Sequence, residues 1–132
     1  IDDKDLDEYC FNPNKSLVNF CREIKIPSIC FPRVLKNNYK KFVEKVKPDA
    51  INIDQEVDPI WAKRNLNNIC IQGGMSPKIL LGNERTALKE TERYLQTFKN
   101  NPYIFNLGHG ILPETKIEMV EELVKIVRDF KQ

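Results

Sequence analysis

Asn106-Leu107-Gly108-His109-Gly110-Ile111-Leu112-Pro113 holds the only histidine of the sequence, set between two glycines. An imidazole in such a bend has two chemistries open to it. It can move a proton in general acid–base work when an aspartate lies in reach. It can also hold a carboxylate through a charge-assisted hydrogen bond. The flanking glycines permit positive φ and let a ligand approach the backbone closely. A lone loop histidine can equally be a polar surface residue, and on spacing alone both readings stay open. Arg33, Asp54, Gln55 and Gln72 fall where other strands are expected to end. If those strands are neighbours in one parallel sheet, these side chains line a single rim with His109. Each has a plainer reading. Asp54 is better taken as a loop cap on turn chemistry, Gln72 as a partner for backbone groups, and Arg33 as a solvated charge. Ser76 fits a helix cap better than a nucleophile, because no elbow motif surrounds it.

The elements that must position these residues follow from periodicity. Residues 5–24 predict a helix with Leu6, Tyr9 and Cys10 on one face and Leu17, Phe20, Cys21 and Ile24 likewise inward. Pro13 kinks or restarts it. Ile26–Phe31 reads as a short strand ended by Pro32. Lys36–Val46 reads as a helix whose Tyr39, Phe42, Val43 and Val46 form one stripe. Ala50–Ile53 is the next strand, and Asp54-Gln55-Glu56 its exit. Asp58-Pro59 starts a helix to about Leu66, with aspartate as cap and proline in the first turn. Ile69–Gln72 is a third strand followed by Gly73-Gly74. That pair lacks the third glycine of a dinucleotide loop. Ser76-Pro77 opens a short helix, Lys78–Leu81, closed by Gly82. Asn83 caps a longer helix with Ala87, Leu88, Thr91, Leu95 and Phe98 inward. Tyr103–Asn106 is the last strand. Thr115 and Glu118 fit a capping box for a final helix bearing Val120, Leu123, Val124, Val127 and Phe130. Short buried strands alternating with helices predict a parallel sheet covered by helices, about four βα units behind a leading helix.

The totals suit one globular domain: 132 residues, 41% hydrophobic and 30% charged. With 21 basic and 19 acidic residues the formal charge is +2, too balanced to argue for nucleic acid or a membrane surface. No apolar run approaches the roughly 18 residues of a membrane span, and the acidic opening Ile1-Asp2-Asp3-Lys4-Asp5 is unlike a signal peptide. Cys10, Cys21, Cys30 and Cys70 show no C-x-x-C spacing. Buried, reduced thiols of a cytoplasmic protein are expected, rather than a disulfide framework or a metal site.

Phe105–Thr115 closely resembles the C-terminal signature of the uroporphyrinogen decarboxylase family. The flanks agree: Leu6-Asp7-Glu8-Tyr9 resembles its "FEEY" helix, Ala50-Ile51-Asn52-Ile53-Asp54 its "VVGLD" strand, and Ile71–Pro77 its "LQGNLDP" segment. The resemblance covers essentially the whole chain, but only about the last third of the family's domain. It implies a TIM (β/α)8 barrel with the cleft at its C-terminal rim. It implies a carboxy-lyase, free of cofactor and metal, that removes the acetate carboxyls of uroporphyrinogen III to give coproporphyrinogen III in haem and porphyrin biosynthesis. The full-length family enzyme is cytoplasmic and homodimeric, and its partner is the tetrapyrrole substrate, not nucleic acid or a membrane. By motif match, His109 takes the substrate-binding role, contacting a substrate carboxylate and assisting proton transfer. No catalytic residue is assigned within the chain, because the family's early arginines and pyrrole-binding aspartate lie outside the matched region. Asp54 follows a different strand from that aspartate. Gln55 replaces a frequent tryptophan, Pro32-Arg33-Val34-Leu35 a glycine-rich loop, and Gly74 the asparagine of "QGNLDP".

Residues 1–132 are therefore expected to form the C-terminal part of a uroporphyrinogen decarboxylase-like barrel domain and to be a fragment of a longer protein, because the sheet edges and apolar interior of a half barrel need covering. The complement would be the other half or a second copy, and the chain alone is expected to be inactive. Two alternatives are carried: a catalytically dead half-barrel serving as an interaction module, and a corrinoid methyltransferase-like protein of the same superfamily. The second is disfavoured by His109, where that branch usually has cysteine, and by the lack of a His-x-Cys motif.

Overall fold

The computed structural model describes residues 2–131. Four parallel strands form one sheet in chain order: β1 (Ile29–Cys30), β2 (Ala50–Ile53), β3 (Cys70–Gly73) and β4 (Tyr103–Ile104). Cys30 pairs with Ile51, Ile51 with Ile71, and Ile71 with Tyr103. The strand order never reverses, which is the arrangement of a barrel arc rather than of a doubly wound sheet.

Helices supply the three crossovers, α3 (Tyr39–Val46) after β1, α4 (Pro59–Asn65) after β2 and α5 (Glu84–Phe98) after β3, and α6 (Ile117–Asp129) follows β4. They cover one face of the sheet. Ile51, Ile53 and Ile71 point into it and are fully buried with Tyr39, Phe42, Ala62, Leu66 and Phe98. Burying such a side chain stabilises by roughly 1.5–3 kcal/mol, so this layer holds the arc together. The other face is open, and Ile29 and Ile104 are 51% and 42% exposed on it. Among the described residues, no helix is long and apolar enough to cross a membrane.

Local chemistry sets the crossovers. Asp58 caps α4, its carboxylate accepting from the N–H groups of Ile60 and Trp61, with Pro59 in the first turn. Asn83 accepts from the Thr86 N–H at the start of α5. The loop into β2 is pinned to β1. Asp49 accepts from Ser28 N–H at 2.7 Å and Ser28 Oγ at 2.9 Å. These bonds hold its carboxyl below the ordinary 3.8. A carboxylate depressed in the folded state stabilises above its unfolded pKa, and that contribution is lost as pH falls through the folded value. Asp49→Asn should therefore lower the urea midpoint at neutral pH, and the gap from the parent should close as pH falls below 3.8.

The leading helix departs from expectation. α1 (Asp3–Asp5) and α2 (Asn12–Glu23) are joined without a break by a π-helical stretch, Leu6–Phe11. Asn12 N–H donates to Asp7 O, an i→i−5 bond. The wider turn accommodates Pro13, which lacks an N–H and crowds the preceding turn. Leu6 is buried as expected, but the stripe Leu17, Phe20 and Ile24 is 64%, 57% and 48% exposed, and Tyr9 73%. Val18 and Phe11 turn inward instead. The stripe is therefore not inward: α2 packs against α3, and it is Val18, not Leu17, Phe20 and Ile24, that is buried.

The final helix also differs. Its N-cap is Lys116, with no side-chain capping bond, so the Thr115–Glu118 box does not form. Thr115 N–H instead closes a turn onto Leu112 O, and its hydroxyl is buried without a partner among the described residues. Only Leu123 of the expected stripe is buried, and Val124 is 39% exposed. Of the cysteines, all four are free, Cys30 is buried and the others are half-buried, so the expectation of buried thiols holds in full only for Cys30. Burial pushes the thiols of Cys10, Cys30 and Cys70 up.

Candidate functional site: the rim at the strand exits

The four strand exits lie at one end of the arc, and three of them are knitted together. Past β3, Met75 forms a parallel bridge with Leu107, and Gly108 N–H donates to Met75 O at 2.8 Å. This brings the backbone of Gly108 onto the peptide leaving β2. A Cβ at Gly108 would stand 2.4 Å from Gln55 N and 2.8 Å from Asp54 C. Glycine at 108 is thus a requirement of close approach rather than of turn geometry. His109 follows at once and is exposed, and nothing lies within 4 Å of where a Cβ on Gly110 would be. The imidazole is therefore presented on the rim beside the β2 exit, not packed in an apolar interior.

Gly73 and Gly74 meet the same need. Gly73 has φ +93°, and a Cβ there would be 2.6 Å from Ile53 O; at Gly74 it would be 2.7 Å from both Ile53 O and Asp54 O. Two tyrosines fix this segment. Tyr103 donates to Gly73 O at 2.7 Å and Tyr94 to Gly74 O at 3.2 Å. Burial pushes the Tyr94 phenol up to about 12 and Tyr103 higher still, so both stay protonated donors. The glycine pair is a packing device at the rim.

Asp54 is at the rim but turned inward. It is 5% exposed. Its carboxylate accepts from Val34 N–H at 2.7 Å, Tyr39 OH at 2.8 Å and Glu56 N–H at 2.9 Å. Burial first, and the Asp54 bond second, push the Tyr39 phenol far above its ordinary value of 10.0, which keeps it a donor. Asp54 therefore ties the β1 exit, α3 and the β2 exit together, and its oxygens are occupied there rather than by His109. The bond to Val34 N–H holds a β-branched residue at φ 62°, a left-handed conformation that such residues rarely adopt. Arg33 beside it is exposed.

Gln55 is half-buried, and its Oε1 accepts from Ser76 Oγ at 3.3 Å. Ser76 thus does not cap the short helix Pro77–Leu81, which has no side-chain cap. The serine instead links the β2 and β3 exits. Gln72 lies lower, half-buried on the open face of the sheet. Of the residues expected to line one rim, Asp54, Gln55 and His109 meet at the strand exits and Gln72 does not reach them; Ser76 links two exits instead of capping, and Asp54, besides its local loop bond, ties the β1 exit and α3 to the β2 exit. Tyr39 and Tyr103 were legible only as members of an apolar stripe and a strand, and Tyr94 not at all, since nothing local marks a phenol for a distant partner. Among the described residues, no group of three or more His, Cys, Asp or Glu side chains is placed to hold a metal.

Consecutive βα units in a parallel arc, with a glycine-flanked histidine where the strand exits converge, define the rim of a βα-barrel protein. The chain belongs to the uroporphyrinogen decarboxylase family: the family profile described as "Uroporphyrinogen decarboxylase (URO-D)" matches residues 1–130. Proteins named uroporphyrinogen decarboxylase are similar along nearly all of it. The one from Wolbachia pipientis wMel is 39% identical over 125 residues, covering 93% of this chain and 37% of the relative. That from the Wolbachia of Brugia malayi is 40% identical over 124 residues, covering 92% and 35%. That from Cereibacter sphaeroides ATCC 17025 is 35% identical over 129 residues, covering 95% and 38%. The chain thus spans little more than a third of the length of these relatives, and its arc is the C-terminal part of the family's TIM barrel.

Proposed function

We propose that this chain is the C-terminal part of a uroporphyrinogen decarboxylase, a carboxy-lyase that converts uroporphyrinogen to coproporphyrinogen in porphyrin biosynthesis, and that His109 binds a substrate carboxylate. The observation that carries the reading is the placement of Gly108-His109-Gly110. The loop is fixed by the Met75 contact and by close packing on Gln55, and it leaves an exposed imidazole at the mouth of the arc. An imidazolium there makes a charge-assisted hydrogen bond to a carboxylate. In the reaction a carboxyl leaves as carbon dioxide and a proton takes its place, so a group that holds an acid side chain at the rim suits the chemistry. The working protein is a cytoplasmic homodimer in this reading.

The open face and both sheet edges support the view that the rest of a barrel belongs against this segment. Ile29 at one edge and Ile104 at the other are exposed, and so is the Leu17, Phe20 and Ile24 stripe of α2. Unpaired edges with apolar flanks are unfavourable in water. The test compares the isolated chain with the full-length protein. The full-length protein should convert uroporphyrinogen to coproporphyrinogen, followed by chromatography of the oxidised porphyrins. The isolated chain should show no product above background. An inactive full-length protein would sink the assignment, and an active isolated chain would sink the claim that the rest of the barrel is required.

A further inference from the structure

Beneath the His109 loop the open face of the sheet carries a pair of amides. Asn52 on β2 and Gln72 on β3 are register partners, and Ile104 on β4 continues the row. Neighbouring strands lie about 4.8 Å apart, so the two side chains leave the sheet together, on the face opposite Ile51, Ile53 and Ile71. Asn52 is 4% exposed. Its amide is fixed at one end, where Nδ2 donates to Ile53 O at 3.3 Å. At the other end Oδ1 is buried with no hydrogen-bond partner among the described residues. Flipping the amide offers no remedy, since it would set Oδ1 against the Ile53 carbonyl, acceptor to acceptor. A buried acceptor without a donor is unusual enough to require an account.

The burial of Oδ1 restricts what can satisfy it. A ligand arriving from solvent cannot reach an oxygen that has no exposed surface, whereas Gln72, the register partner on the same face, reaches it by a turn of its own side chain. Gln72 is half-buried there, and its carboxamide nitrogen carries two hydrogens. We propose that Asn52 is a positioning residue that orients Gln72, and that Gln72 binds a carboxylate of the substrate on the open face below His109. In the structure Gln72 makes no bond to Oδ1; when the ligand binds, its carboxamide turns so that one Nε2 hydrogen goes to Asn52 Oδ1 and the other to the ligand. The ligand class is a carboxylate-bearing molecule, and its identity as a tetrapyrrole rests on the function proposed above. The arrangement gives the cleft a second carboxylate contact, neutral and deeper than His109.

The test is a binding titration of the full-length protein carrying this segment with uroporphyrin, an oxidised porphyrin with acetate and propionate side chains, read by porphyrin fluorescence. Gln72→Leu and Asn52→Leu should each weaken binding about 10-fold, and the double variant should be no weaker than either single one, because Asn52 acts through Gln72. Gln72→Glu should be weaker than Gln72→Leu, since it sets like charges together. Circular dichroism confirms folding, and Asn52→Ala replaces Asn52→Leu if the latter does not fold. Losses that multiply in the double variant, an unaffected Gln72→Leu, or no uroporphyrin binding by the unsubstituted protein would each overturn the inference. Decarboxylation is assayed separately. A protein that binds with the coupled pattern yet forms no coproporphyrinogen would sink the function and leave this inference standing, and an active protein with multiplying losses would do the reverse.

Discussion

Asp54→Asn should be among the most destabilising single changes in this segment, costing the full-length protein about 2–4 kcal/mol in urea unfolding. The carboxylate takes three donors from three places: Val34 N–H, Tyr39 OH and Glu56 N–H. An asparagine is nearly isosteric, but it offers one acceptor oxygen and an NH2 group. That group must face at least one of those donors, in a site only 5% exposed. The consequence is more than a lost bond. Val34 is held at φ 62° with its N–H on Asp54, so weakening that bond releases a strained residue and with it the β1 exit loop. The Tyr39 hydroxyl also accepts from Asp54 N–H at 3.2 Å, so α3 loosens with it. Asp54→Asn should therefore speed proteolysis in the 31–38 loop before the rest of the segment becomes susceptible. Tyr39→Phe should cost less, about 1–2 kcal/mol, because it removes one donor and leaves the carboxylate two. If Asp54→Asn moves the urea midpoint no more than an exposed substitution does, the carboxylate does not have the organising role that its bonds indicate.

What was legible in the sequence and what was not divides along the range of the interactions. Ala50–Ile53 is a strand with the bounds read from its composition, because an apolar run between a proline turn and a carboxylate turn leaves no other register. Asp58 and Asn83 cap their helices as expected, since the bonds they make span three residues or fewer. Turn chemistry predicts Asp54 as a loop cap, and its bond to Glu56 N–H is that local interaction. Its other partners sit 15 and 20 residues away, where no spacing rule reaches. Thr115 and Glu118 show the opposite failure. The local motif is present, but the turn from Leu112 takes the Thr115 N–H and moves the helix start past it. The leading helix failed for a third reason. Amphipathic spacing reports that a face is apolar, and in an arc with open edges that does not decide whether Leu17 and Phe20 find a neighbour. For the site, the glycines at 73, 74 and 108 were visible as residues, but the distances that require them come from strands packed edge to edge.

His109 offers the sharpest contrast with Asp54, because it should matter for turnover and not for stability. The side chain is exposed, so His109→Asn should leave the urea midpoint of the full-length protein within about 0.5 kcal/mol of the parent. Asparagine can still donate a hydrogen bond but carries no charge and passes no proton. If the imidazole holds a substrate carboxylate and assists proton transfer, its loss should lower kcat/KM for uroporphyrinogen about 100-fold. Binding and proton transfer separate by the pattern. A purely binding histidine raises KM and leaves kcat nearly unchanged, whereas one that also serves the proton step lowers both kcat and kcat/KM. Gly108 makes the comparison stricter. Any side chain there would be driven into the Asp54–Gln55 peptide, so a change at 108 alters position as well as chemistry, whereas a change at 109 alters chemistry alone. A His109→Asn protein with unchanged kcat and unchanged KM would therefore leave the glycine-flanked bend a feature of packing, with no part in recognising an acidic substrate.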